Sequence, residues 1–175
     1  KNLNEQGTEI VNPFKIFKNT TAFIDKYYPS KNSKILAFSV SNDGSDMREI
    51  RFVNLDDRKN LDDKLTNIRY SNVAWHKNDG VFYKRNRNAN RFATDSTFQL
   101  YYHKLGSLQD DDKLIYDTSG NNNSYSFFTV DEKLFIIEKN EEESLKKYYY
   151  ASLDEENLKF IPFAEKADLN YTFLN

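Results

Sequence analysis

The stretch ILAFSVSNDGSDMREIRFVNLDD, residues 35–57, decides the fold. Ile35–Val40 is a nearly continuous apolar run of strand length, Ser41-Asn42-Asp43-Gly44 is turn chemistry, and Glu49–Val53 alternates apolar with polar residues. Alternation puts one face of a strand in a core, whereas a short unbroken apolar run belongs to a strand covered on both faces. The same grammar continues outward. Phe98–Tyr102 and Leu158–Phe163 alternate, Leu134–Ile137 is apolar throughout, and Lys147–Ala151 is aromatic. Asn78-Asp79-Gly80, Ser119-Gly120-Asn121 and Asp154-Glu155-Glu156 supply turns between them. No long stripe of 3.6-residue period is present. Leu55–Asn67 reads at most as a helical turn, because its apolar residues are too sparse for a core helix. The class is all-β.

Laid over one another, the strands repeat. Each unit runs inner strand, polar turn, apolar strand, loop, aromatic strand, acidic turn and a weaker fourth strand. The third-strand centres Arg51, Tyr101 and Tyr149 lie 50 and 48 residues apart. Four strands at that period predict a partial β-propeller of about three and a half four-stranded antiparallel blades. Their expected bounds are 21–66, 67–118 and 119–164, with the start of a next blade at 165–175. The competing reading is a β-sandwich whose strand spacing repeats by accident. Propellers close with about four to eight blades, so this count is short of a ring, and the chain reads as a fragment of a propeller domain.

Composition narrows the function. Among 175 residues, 25 basic against 27 acidic side chains leave a net charge of −2. That balance argues against nucleic acid, whose binding draws on a basic surplus. Absence of cysteine removes disulfides, thiolate metal sites and cysteine nucleophiles. No apolar run approaches the roughly 20 residues that span a bilayer, so no membrane partner is expected. Mean hydropathy is low at −0.82, yet an aromatic content of 15% is hard to leave in water and points to a soluble folded domain. The compartment, cytoplasmic or periplasmic, stays open.

Catalytic apparatus is not evident. None of the five glycines brackets a serine as Gly-x-Ser-x-Gly. His76 and His103 fall in the second unit, 27 residues apart, without a nucleophile elbow or a metal-ligand spacing. They read as structural or surface histidines. The acidic runs Asp110–Asp112, Glu141–Glu143 and Asp154–Glu156 fit no calcium loop and read as solvated turns. Asn19, Asn122 and Asn170 open glycosylation sequons, which arise by chance among 21 asparagines. Trp75 and Tyr148–Tyr150 are expected to pack between blades. No metal or cofactor is expected.

Three motifs carry a resemblance. Leu36–Ser41, Gly44-Ser45-Asp46 and Glu49-Ile50 resemble the stretch AYS.S..GSDW.EI of the prolyl oligopeptidase family. Ile68–Trp75, with Asp79–Tyr83 after it, is similar to VKFS.IAW…DGKGFFY of that family, and Tyr101–Gly106 to YYH.LGT. Order and spacing agree over roughly residues 30–140. Met47 replaces the family's tryptophan, and Asn86–Thr97 departs from the family's loop. The resemblance implies a serine peptidase that cleaves short peptides after proline. Its α/β-hydrolase domain carries the catalytic Ser, Asp and His, and a seven-bladed propeller caps it and admits only small substrates. This chain then supplies early blades, gates access and lines part of the pocket. With no catalytic residue of its own, it is expected to be inactive alone. Tyr70, where the family has a pocket phenylalanine, and Tyr125 are the implied substrate-pocket residues. The implied partners are the protein's own catalytic domain and proline-containing peptides. The half-integral blade count predicts that two isolated copies close a ring as a homodimer. The alternative is a stand-alone propeller-like interaction module without enzymatic activity.

Overall fold

A computed structural model describes residues 6–44, 46–69, 71–86, 98–118, 123–140 and 146–164. Strands β1 (Phe23–Pro29), β2 (Ile35–Ser41), β3 (Arg48–Asn54) and β4 (Asn60–Ile68) form the first sheet. The second holds β5 (Val73–His76), β6 (Gly80–Asn86), β7 (Phe98–Lys104) and β8 (Lys113–Asp117). The third holds β9 (Asn123–Val130), β10 (Lys133–Asn140), β11 (Lys146–Ser152) and β12 (Ile161–Ala164). Every pairing is antiparallel between chain neighbours. Three such four-stranded blades, packed face against face without closing, make a partial β-propeller.

The cores lie between the blades. Ala37, Ile50, Phe52, Leu65 and Ile68 of the first blade meet Val73, Trp75, Val81 and Tyr83 of the second. Ala74, Phe82 and Leu100 of the second meet Tyr125, Phe127, Leu134, Ile136 and Leu153 of the third. Strand β6 shows why an unbroken apolar run was needed. Val81 and Tyr83 enter one seam while Phe82 enters the other, so consecutive residues are all buried. Both Trp75 and Tyr148 are buried.

The outer face of the first blade is covered by a helix that the apolar pattern does not foreshadow, α1 (Pro13–Phe17). Asn12 caps it, accepting from the amides of Phe14 and Lys15 at 3.0 and 3.2 Å, with proline in the first turn where no N–H is needed. Its Ile16 and Phe17, with Val11, cover Phe38, Val40 and Val53. Inner strands are tied in series: the Trp75 indole donates to the Tyr28 carbonyl at 3.0 Å, and the Thr129 hydroxyl donates to the Trp75 carbonyl at 2.8 Å.

Two segments differ from their sequence reading. Residues 60–68 are not a helical turn but a strand, since Leu61, Asp63 and Leu65 repeat at period two on its inner face. The last strand of the third blade begins only at Ile161. The expected start of a further blade, 165–175, lies outside the described residues. Gly80 opens β6 where nothing larger fits, because a Cβ there would stand 2.6 Å from the His103 carbonyl and 2.3 Å from the Tyr102 hydroxyl. That proximity closes the β5–β6 hairpin tightly against β7.

Candidate functional site

Strand β4 places Asp63 at an inward position between Leu61 and Leu65, and β7 turns His103 toward the same seam. The imidazole stacks on Phe52, with centroids 6.1 Å apart. Its Nε2 lies 3.0 Å from Asp63 Oδ1 and its Nδ1 lies 2.6 Å from Asp112 Oδ1. Side-chain exposure is 1% for His103 and Asp112 and 5% for Asp63, so this row is cut off from bulk water. Asp112 therefore overturns the reading of residues 110–112 as a wholly solvated turn; Asp110, 94% exposed, keeps to it. The Tyr83 hydroxyl donates to Asp112 Oδ2 at 2.6 Å. Gln109 then staples the loop to β4, bonding both the amide and the carbonyl of Thr66 at 3.0 Å.

Burial works against a charged imidazole, but the hydrogen bonds and charges of Asp112 and Asp63 outweigh it and hold the His103 pKa above its ordinary value. Burial and the Asp112 carboxylate keep the Tyr83 phenol protonated well beyond its usual range. The geometry and the raised pKa favour an imidazolium between the two carboxylates. The row flanks an open groove of about 890 Å³ between the first two blades, lined in part by Leu61, Asp63, Asp79, Leu105, Gly106 and Leu108.

The second seam has its own buried carboxylate. Glu138 on β10 accepts from the Tyr116 hydroxyl at 2.6 Å and from the Asn123 amide. In the same seam Lys84 reaches across from β6, donating to the Tyr125 carbonyl, with its ammonium 4.2 Å from the Tyr125 ring centroid. Desolvation alone lowers the Lys84 pKa to about 8. Between that value and the ordinary value near 10.4 the unfolded chain binds the extra proton, so Lys84 costs stability at neutral pH and the cost fades as pH rises. Lys84→Met is expected to stabilise the chain by about 2 kcal/mol at pH 7, with the advantage shrinking above pH 8. Urea midpoints of the two proteins across pH 6–10 check this.

Of the residues implied for a substrate pocket, Tyr70 lies outside the described residues. Tyr125 is 6% exposed, packed edge to face on Tyr116 at 5.3 Å and donating to the Phe98 carbonyl at 3.2 Å. Among the described residues neither histidine addresses a serine: both His103 nitrogens face carboxylates, and His76 Nε2 faces the Leu153 carbonyl at 3.3 Å. Among the described residues no group of three or more His, Cys, Asp and Glu side chains is placed to hold a metal ion. Sequence reasoning missed Asp63, although an acid at an inward position between two leucines of one strand is a legible sign of a buried partner.

Blades joined through apolar seams, the first pinned by the Asp63–His103–Asp112 row and the second by the Tyr116–Glu138 bond, define the class as an open segment of a β-propeller. Residues 6–174 match the description of the prolyl oligopeptidase N-terminal β-propeller domain. The chain belongs to that family. It is 28% identical over 113 residues to the prolyl endopeptidase of Elizabethkingia meningoseptica, covering 62% of this chain and 16% of the relative. Prolyl oligopeptidase B from Galerina marginata, solved with a 35mer hydrolysis and macrocyclization substrate, superposes with a TM-score of 0.80 at 19% identity. That match spans 92% of this chain and 25% of the other. A further solved prolyl endopeptidase gives 0.78 at 21% identity over 96% of this chain and 24% of its own. The chain thus spans about a sixth of the curated relative and a quarter of the solved structures.

Proposed function

We propose that these blades belong to a prolyl oligopeptidase-like serine peptidase that cleaves short peptides after proline, and that they gate substrate access and line part of its pocket. The observation that carries this reading is the family match over residues 6–174, together with three blades of the matching fold. The hydrolytic serine, base and oxyanion donors reside in a separate catalytic domain of the same protein. Both histidines described above are already committed to carboxylates or a carbonyl. Tyr70 is proposed to contribute an aromatic face and a hydroxyl to binding of the proline-containing peptide. Tyr125 is the second residue proposed for the pocket; it is 6% exposed, with Tyr116 packed on its ring and the Lys84 ammonium over it.

The purified 175-residue chain is expected to leave a proline-containing chromogenic peptide intact. Proline-specific cleavage by the chain, abolished by a serine-directed inhibitor, overturns the division of labour. In the enzyme that carries these blades, Tyr70→Ala is expected to raise KM several-fold with a smaller change in kcat, matching the loss of one aromatic contact. An unchanged KM removes Tyr70 from the pocket.

A second copy is the proposed partner of the isolated chain. The outer face of the third blade presents Phe128, Phe135, Tyr150 and Phe163 as one aromatic cluster, with Phe163 half exposed. Such a face favours association over solvation. Light scattering at several concentrations is expected to show a dimer, and a persistent monomer removes the homodimer.

A further inference from the structure

The first seam contains a charged row with a direction built into it. Asp63 Oδ1 receives the Gly106 amide at 2.5 Å as well as facing His103, so it couples the histidine to the loop between β7 and β8. Gly106 occupies the left-handed region, φ +85°, which lets its N–H point at the carboxylate without a side-chain penalty. The loop borders the open groove, and so does Asp63. Asp112, by contrast, is fixed from behind by Tyr83 and belongs to the second blade.

We propose that Asp63, His103 and Asp112 form a proton-operated latch between the first two blades: loss of the His103 proton releases Asp63 and the Leu105–Leu108 loop, and widens the groove beside them. The charged groups that face the ring are Asp63 from β4 and Asp112 from the segment before β8, with Tyr83 of β6 behind Asp112 and the uncharged Phe52 of β3 against its plane. A neutral imidazole has one N–H to give. The shorter contact, to Asp112 at 2.6 Å, keeps it, and the Nε2 lone pair is then left 3.0 Å from the Asp63 carboxylate. Two acceptors at that distance repel, and a desolvated carboxylate whose charged donor at His103 is gone, leaving the neutral Gly106 amide, is costly. Asp63 can relieve this by moving toward the groove, where water solvates it, and in moving it breaks the bond from the Gly106 amide and frees the loop. Because the folded pKa is raised, the stabilisation is complete below about pH 6.5 and is lost as pH rises through the folded value.

The test uses the 175-residue chain labelled at the histidine Cε1 position, with His76→Gln assigning the two signals. His103 is expected to keep its imidazolium signature well above the ordinary histidine range. Gly106 and Thr66 amides are expected to lose protection at the same pH at which that signature disappears, beyond the base-catalysed rise common to all amides. Protection should fall about tenfold for each unit by which the carboxylates raise the histidine. Asp63→Asn removes the repelling charge and is expected to abolish the protection step at Gly106. A His103 titrating in the ordinary range, a protection step displaced from the histidine titration, or an undiminished step in D63N overturns the latch. If D63N does not fold, coincidence of the two wild-type transitions decides it alone.

Discussion

His103→Ala is expected to lower the stability of the chain by about 3–5 kcal/mol at pH 6.5, the largest effect of any single polar substitution in these blades. The reason is what remains. Asp63 and Asp112, almost without solvent exposure, would be two carboxylates facing a space with no cation between them. Their remaining donors, the Gly106 amide and the Tyr83 hydroxyl, are neutral and satisfy one oxygen each. Loss of the ring also removes the stacked neighbour of Phe52. The carboxylates would take up protons, so the variant should unfold less readily as pH is lowered toward the carboxylate range. The wild type has a dependence of the same sign but in a higher pH window, losing stability as its imidazolium is discharged toward the alkaline end. Urea unfolding of both proteins from pH 5 to pH 9 reads this directly. A loss below about 1 kcal/mol, unchanged across that range, would falsify the view that the row is an ion cluster.

How the blades were legible is a matter of periodicity. Glu49–Val53 announces a strand because its apolar residues alternate at the spacing of a pleated chain, Ile35–Val40 and Leu134–Ile137 because they are short unbroken apolar runs, and the near-50-residue recurrence announces blades. The helix Pro13–Phe17 left no such trace. It is too short for a 3.6-residue stripe, and it forms because Asn12 caps it and the first blade offers Phe38 and Val40 as a floor. Strand β4 was hidden by its own charge, since Asp62, Asp63 and Lys64 break the apolar count although Leu61 and Leu65 keep the period. The polar row was hidden for a different reason. Asp63, His103 and Asp112 come from three elements 40 and 9 residues apart, and which acid of Asp110–Asp112 is buried depends on how the loop folds back. Local sequence carries no information on that choice. Tyr125 was singled out only through the family resemblance, as an implied pocket residue, and its packing against Tyr116 and Lys84 required the neighbouring sheet.

Phe52→Ala is the apolar counterpart of the His103 substitution, and it is expected to cost about 3–5 kcal/mol. Phe52 is fully buried on β3 and is the residue on which two features of the first seam rest. One face carries His103, and the Trp75 ring meets it edge to face with centroids 6.3 Å apart. Truncation removes the apolar area of the ring and leaves a cavity that the surrounding strands cannot collapse, because Trp75 is held by its bond to the Tyr28 carbonyl. Trp75 is the single tryptophan of the chain, so its emission reports this seam alone. A red shift of emission in the folded variant is expected to accompany the drop in urea midpoint. Phe52→Leu, which refills most of the space, should recover most of the loss. The second seam shares no residue with Phe52, so amide protection of β10 in the folded variant should stay near the wild-type level while that of β4 falls. A uniform loss of protection across both sheets would show that the blades unfold as one unit rather than seam by seam. Since Phe52 and His103 are in contact, the double variant should lose less than the two single losses added together. Strict additivity would mean that stacking contributes nothing to holding the imidazolium between its carboxylates.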